Sequence, residues 1–114
     1  MNRKTPAKQG HRALGELEQL VVLAILRRGD EAYGVPIVEE ILERTGREVS
    51  RTAVYVALTR LEKRGLVTSR LGDPTPERGG KAKRFFRVQP AAVERVRESR
   101  AALTRMWDGV KALG

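Results

Sequence analysis

The chain of 114 residues has no cysteine and a single histidine. The first absence excludes disulfides and thiolate metal sites. His11 stands alone in a polar amino-terminal stretch and cannot build a metal centre by itself. Aromatic residues make up only 4%, which leaves few platforms for stacking unpaired bases. No apolar run reaches the roughly 18 residues of a membrane span, and the start lacks the apolar core of a signal peptide. The expected compartment is therefore the cytoplasm, with no membrane partner. An enzyme is not expected either. No paired carboxylates stand beside a phosphate-binding loop, and Gly79-Gly80-Lys81 lacks the spacing and strand–helix context of one.

What the chain has in excess is positive charge. Lys and Arg number 23 against 14 Asp and Glu, a formal net charge of +9. So large an imbalance on one small domain points to a polyanion, most often nucleic acid.

The stretch that gives this charge a direction is SRTAVYVALTRLEKRG, residues 50–65. Ser50 suits an N-cap and Gly65 a C′ position, which predicts one helix. Val54, Ala57, Leu58 and Leu61 share a face at helical spacing. The opposite face carries Thr52, Val56, Thr59 and Lys63, flanked by Arg51, Tyr55 and Arg60. Hydroxyls, a methyl-bearing side chain and cations suit a major groove, where they meet thymine methyls and guanine acceptors. The plainer alternative is a solvated amphipathic face.

The neighbouring segments complete an arrangement. Residues 1–12 are polar and basic, a flexible arm for DNA or a solvated tail. Residues 14–28 predict a first helix so apolar around its circumference that more than one surface must cover it. Tyr33-Gly34 leads into a second helix, 35–45, with Val35, Val38, Ile41 and Leu42 inward and Glu39, Glu40 and Glu43 solvated. Val49 is expected to form a one-rung strand. Two short helices joined by a tight turn predict a helix-turn-helix. Residues 66–71 and 84–89 alternate as strands around the turn-rich loop 72–83. The expected class is mainly α with a small β-hairpin: a winged helix-turn-helix over 13–89. Arg78, Lys81 and Lys83 place cations on the loop, with Arg84 at its base, for a wing on phosphates or a minor groove; the plainer alternative is a solvated loop.

Pro90 opens a last helix, expected to run to about Leu113, some 34 Å at ~1.5 Å per residue. Val93, Val96, Ser99, Leu103, Met106, Val110 and Leu113 recur at spacings of three and four, a heptad seam. Residues 90–114 are thus expected to dimerise. Leu17, Val21, Val96, Leu103, Met106, Trp107 and Val110 are the candidate interface residues. The alternative is a seam satisfied by the chain's own first helix. Trp107 is either an interface anchor or an aromatic wall for a flat effector between subunits. A two-fold dimer would set two reading helices on an inverted repeat.

The first helix LEQLVVLAIL, the Tyr33-Gly34 pair and the block SRTAVYVALTRLEKRGLV together resemble the PadR transcriptional regulators, in the short form with one carboxy-terminal helix. The resemblance covers about residues 14–90. It implies homodimers built through the first and last helices, double-stranded DNA as partner, bacterial nucleoid association, and repression relieved in some members by a small hydrophobic or aromatic molecule. Carried over, Tyr55 is the implied phosphate or base contact, with Thr52, Thr59 and Arg60 as its neighbours on the reading face; Ser50 and Arg51 at the start of the helix complete the candidate DNA-binding set there. The second wing strand departs from the family: Arg84-Phe85-Phe86-Arg87-Val88-Gln89-Pro90 has no tyrosine or threonine where Arg-x-Tyr-x-Leu-Thr is usual. No cofactor is implied. The rival reading, from charge and absent cysteine alone, is a small basic RNA-binding or ribosome-associated structural protein.

Overall fold

The structure, a computed structural model, describes residues 13–73 and 82–111. The basic arm 1–12, the wing cations Arg78 and Lys81, and Leu113 of the seam lie outside them.

The first helix, α1 (Glu16–Arg28), starts two residues later than its apolar pattern. Leu14 precedes it and is already buried. The Glu18 carboxylate accepts from the Gly15 N–H at 2.8 Å, closing the open first turn. A short 3₁₀ turn (Gly29–Glu31) leads to α2 (Gly34–Thr45). The inward face of α2 differs from the expected one: Pro36, Ile37 and Ile41 are buried, while Leu42 is exposed. Pro36 occupies the first turn, where its missing N–H costs nothing. From there Ile37 and Ile41 stack at i and i+4, which turns Leu42 away.

The third helix, α3 (Arg51–Lys63), has the expected bounds and the expected core face of Val54, Ala57, Leu58 and Leu61. The Ser50 hydroxyl accepts from Ala53 N at 3.0 Å. At the other end Gly65 N–H donates to the Glu62 carbonyl and Leu66 N–H to the Leu61 carbonyl. That pair of bonds is a Schellman closure, and Leu61 and Leu66 are both buried, as its apolar contact requires.

Strands β1 (Val67–Leu71) and β2 (Arg84–Val88) pair antiparallel, with Val67 opposite Val88 and Ser69 opposite Phe86. The expected rung at Val49 is not there; Val49 sits half-buried in an irregular connection. Ala32 takes that role, its carbonyl accepting from Phe86 N–H at 2.9 Å. One core joins Val21, Val22 and Ile25 of α1, Ile37 and Ile41 of α2, the four α3 residues, Val67, Phe86 and Ala92. Each fully buried aliphatic side chain there adds about 1.5–3 kcal/mol of transfer free energy.

The last helix, α4 (Pro90–Trp107), is shorter than its heptad pattern. Its 18 residues span about 27 Å. Asp108 leaves helical geometry (φ −59°, ψ 125°) and Gly109 follows at φ +81°, while Val110 N–H donates to the Trp107 carbonyl at 2.9 Å. These are the angles of a type II turn, whose third residue needs positive φ. Val110 therefore lies past the helix. The proximal half of α4 packs on the core through Ala92 and Val96; from Ala101 onward every described residue is exposed.

Candidate nucleic-acid interface

The inward face of α3 leaves its other side to solvent. Arg51, Thr52, Tyr55, Val56, Thr59, Arg60 and Lys63 are all exposed and line one shallow strip along the helix. Among the described residues Arg51, Arg60 and Lys63 enter no ion pair. The strip thus holds three cations, two threonines, Val56 and Tyr55, and no carboxylate. That set supplies donors for phosphates and base acceptors and methyls for thymine. Glu62, on the neighbouring side of α3, is occupied elsewhere: its carboxylate accepts from the Ser69 hydroxyl at 2.8 Å.

Tyr55 differs from its neighbours. Its residue is 38% exposed, but its hydroxyl is turned toward α2. A Cβ built on Gly34 would stand 2.5 Å from Tyr55 Oη. The ring also meets Phe86 edge-on, with centroids 6.5 Å apart. Tyr55 therefore offers the strip its ring, while its polar tip belongs to the helix–helix contact. That contact was not legible in the sequence. The available signal was a glycine at the first residue of a helix, where no turn demands one.

The base of the wing is built as a cluster. Lys83 Nζ donates to the Tyr33 hydroxyl at 3.3 Å and lies 4.4 Å from that ring's centroid. Tyr33 meets Phe85 edge-on at 5.4 Å, and the Arg70 guanidinium covers Phe85 at 5.0 Å. Arg84 Nη1 donates to Ser69 Oγ at 2.9 Å. Lys83 and Arg84 are thus tied to the wing root. Phe85 takes a stacking place in this cluster, and Phe86 goes to the core.

Of the three α2 acids expected on a solvated face, Glu39 and Glu43 are exposed and Glu40 is not. Glu40 accepts from Arg28 Nε and from Arg27 Nε, both at 2.7 Å, and its side chain is only 12% exposed. Arg28 reaches Glu43 and Glu39 as well. The hydrogen bonds from Arg28 and Arg27 hold the Glu40 carboxyl below its ordinary range, and the bond to Glu40 raises Arg28. Across the molecule Arg47 does the same for Glu16, donating at 2.9 Å.

The candidate interface residues divide. Val21 is fully buried in the core of its own chain, so it has no surface to give a second copy, and that expectation is corrected. Leu17 and Val96 are half-buried against the same core. Leu103, Met106, Trp107 and Val110 are exposed, Met106 at 74% and Trp107 at 67%, as are Leu23 and Leu26 of α1. Among the described residues no helix is long and apolar enough to cross a membrane.

The profile of the family described as "Transcriptional regulator PadR-like family" matches residues 22–97, from within α1 to the first half of α4. No curated protein matches the chain. Several solved structures share its fold. A PadR family transcriptional regulator from Eggerthella lenta DSM 2243 is 27% identical at a TM-score of 0.64, over 82% of this chain and 81% of its own. A transcriptional regulator from Clostridium thermocellum is 22% identical at 0.67, over 80% and 85%. A Streptococcus transcriptional regulator is 24% identical at 0.62, over 84% and 92%.

Proposed function

We propose that this chain, which belongs to the PadR-like family of transcriptional regulators, works as a homodimer that represses transcription from an inverted-repeat DNA site. Two copies of α3 enter successive major grooves. Thr52, Tyr55, Val56, Thr59 and Arg60 face the bases, Arg51 and Lys63 the phosphates, and the wing around Arg78, Lys81, Lys83 and Arg84 follows the flanking backbone. The carrying observation is the α3 strip: seven exposed side chains, three of them cations without an ion pair among the described residues. A solvated helix with only a structural role would gain from carboxylates beside those cations, and this one has its neighbouring Glu62 turned to Ser69.

The dimer is supported by the distal half of α4. Leu103, Met106 and Trp107 form an apolar run that its own core does not reach. An exposed run of this kind marks an interaction site, and a second copy with the same run is the simplest partner. A flat hydrophobic or aromatic effector lodged between the two Trp107 indoles would loosen the pair and release the DNA. The protein acts in the cytoplasm, on the bacterial nucleoid.

Titration of the protein into the DNA upstream of its own gene, with excess competitor DNA and sedimentation for stoichiometry, tests this. One dimer saturating an inverted repeat in the presence of competitor is the expected result. Binding that competitor abolishes, or a preference for RNA, would move the basic structural-protein reading to the front. Leu103→Glu should yield a folded monomer; a variant still dimeric by sedimentation would rule out the α4 interface.

A further inference from the structure

Residues 32–34 meet both DNA-facing parts of the molecule. The Ala32 carbonyl accepts from Phe86 N–H on β2. Tyr33 holds Lys83 at the wing root through its hydroxyl and its ring face, and stands edge-on to Phe85. Gly34 lies directly under Tyr55 of α3, whose ring in turn meets Phe86. We propose that Tyr33-Gly34 is the positioning element of the reading surface: Gly34 seats Tyr55, and Tyr33 anchors the wing root, so both set DNA affinity without touching DNA. This rests on the DNA-binding reading above.

Position 34 is glycine for a reason other than its backbone. Its φ is not among the positive values, which belong to Gly29, Gly46, Gly65 and Gly109. Backbone strain therefore does not require it. As the first residue of α2 it is a poor choice by propensity, since alanine forms helix better. What excludes a side chain is space. A Cβ would come within 2.5 Å of Tyr55 Oη and 2.9 Å of Tyr55 Cζ. Something must give, and the movable partner is the tip of Tyr55. The helix beneath it is pinned by Val54, Leu58 and Leu61, all buried. A methyl at 34 thus swings Tyr55 toward the strip between Thr52 and Thr59, loosening its edge contact with Phe86, and leaves Val54, Leu58 and Leu61 seated in the core.

Tyr33 acts on the second element. Its ring and hydroxyl hold the Lys83 ammonium near the point where the loop departs. Removing the ring frees that cation and the Phe85 edge together.

The test compares wild type, Gly34→Ala, Tyr55→Ala and the double variant by fluorescence anisotropy on the upstream DNA, with thermal unfolding on the same samples. Gly34→Ala should bind about tenfold more weakly, a loss of the size of one removed contact, and melt near the wild type, since only the Tyr55–Phe86 edge contact is loosened. In the Tyr55→Ala background the same substitution should change affinity no further, since coupled residues are not additive. Gly34→Ala that binds as wild type, or that loses the same factor with and without Tyr55, overturns the seat. Tyr33→Ala carries the test should Gly34→Ala not fold: about threefold weaker binding, the size of one cation–π contact, is expected, with Tyr33→Phe between it and wild type. Unchanged affinity in Tyr33→Ala overturns the anchor. A wild-type protein that cannot select the upstream DNA over competitor would instead sink the DNA-binding reading, and this inference with it.

Discussion

The helices α2 and α3 are neighbours of almost equal length, each with four or so residues in one core and charge on its outer side, yet they use that charge oppositely. On α2 the acids Glu39, Glu40 and Glu43 are drawn onto Arg27 and Arg28 of α1. On α3 the cations Arg51, Arg60 and Lys63 have no such partner among the described residues, and lie together on one strip. Internal pairing therefore does more than stabilise α1 against α2. It consumes carboxylates on one side of the fold, while on α3 three cations stay together on one exposed strip with no carboxylate among its lining residues. Their ends differ as well. Ser50 caps α3 with its side chain, whereas Tyr33 before α2 makes no capping bond; that residue is committed to Lys83 instead.

The sharpest way to break this contrast is to take a cation from α3. Arg60→Ala should weaken binding to the upstream DNA by about 1–3 kcal/mol. The loss should vary with DNA sequence where Arg60 reads a base and be uniform where it meets phosphate. The melting temperature should stay where it is, because no ion pair is broken. Anisotropy and calorimetry on one preparation measure both. A drop in stability with no change in affinity would mean that Arg60 is tied into the fold and that α3 resembles α2 after all.

A smaller effect is expected from the cap. Ser50→Ala removes the acceptor for Ala53 N and should cost about 1 kcal/mol of unfolding free energy, read as a lower denaturation midpoint. Because Arg51 and Thr52 stand in the turn that frays, DNA affinity should fall with it. Threonine at position 50 should restore most of both. A cap loss that left affinity untouched would move the contact surface toward the carboxy-terminal part of α3, around Thr59 and Lys63.

Much of this architecture was legible because it rests on short-range rules. The period of Val54, Leu58 and Leu61, the Ser50 cap and the Gly65 exit are local, and α3 has the bounds they predict. What failed depends on which surface meets which. Apolar residues all round α1 indicate heavy covering, but not that Val21 faces the chain's own core while Leu23 and Leu26 face out. On α2 the run Ile37 to Leu42 admits more than one inward face, and the choice is made by Pro36 and the packing of Ile37. The seam of α4 continues in sequence past the point where Asp108-Gly109 turns the chain. For the candidate site the strip residues follow from helical period, while the places of Tyr55 over Gly34 and of Lys83 over Tyr33 come from tertiary contacts that no spacing encodes.

The finest distinction between the two helices is drawn by pH. The Glu40 carboxyl lies below its ordinary 4.5 because Arg28 and Arg27 donate to its ionised form. A carboxyl displaced in that direction contributes stability above its unfolded-state pKa and loses it as pH falls through the lowered folded-state value. Glu40→Gln keeps the shape and one acceptor oxygen but has no charge to lose. Its melting temperature should therefore lie below wild type at neutral pH, by less than the cap substitution produces, and the two should converge as the solution is acidified past the Glu40 titration. A gap that persists in acid would assign the loss to packing rather than charge. The same variant bears on DNA. It releases Arg27, leaves Arg28 only its longer pairs with Glu39 and Glu43, and makes the protein more positive without altering the α3 strip. If selective affinity for the upstream DNA stays constant while weak binding to competitor rises, recognition belongs to the strip. If selective binding rises just as much, the protein attracts DNA through its overall field, and the opposition between α2 and α3 ceases to matter for recognition.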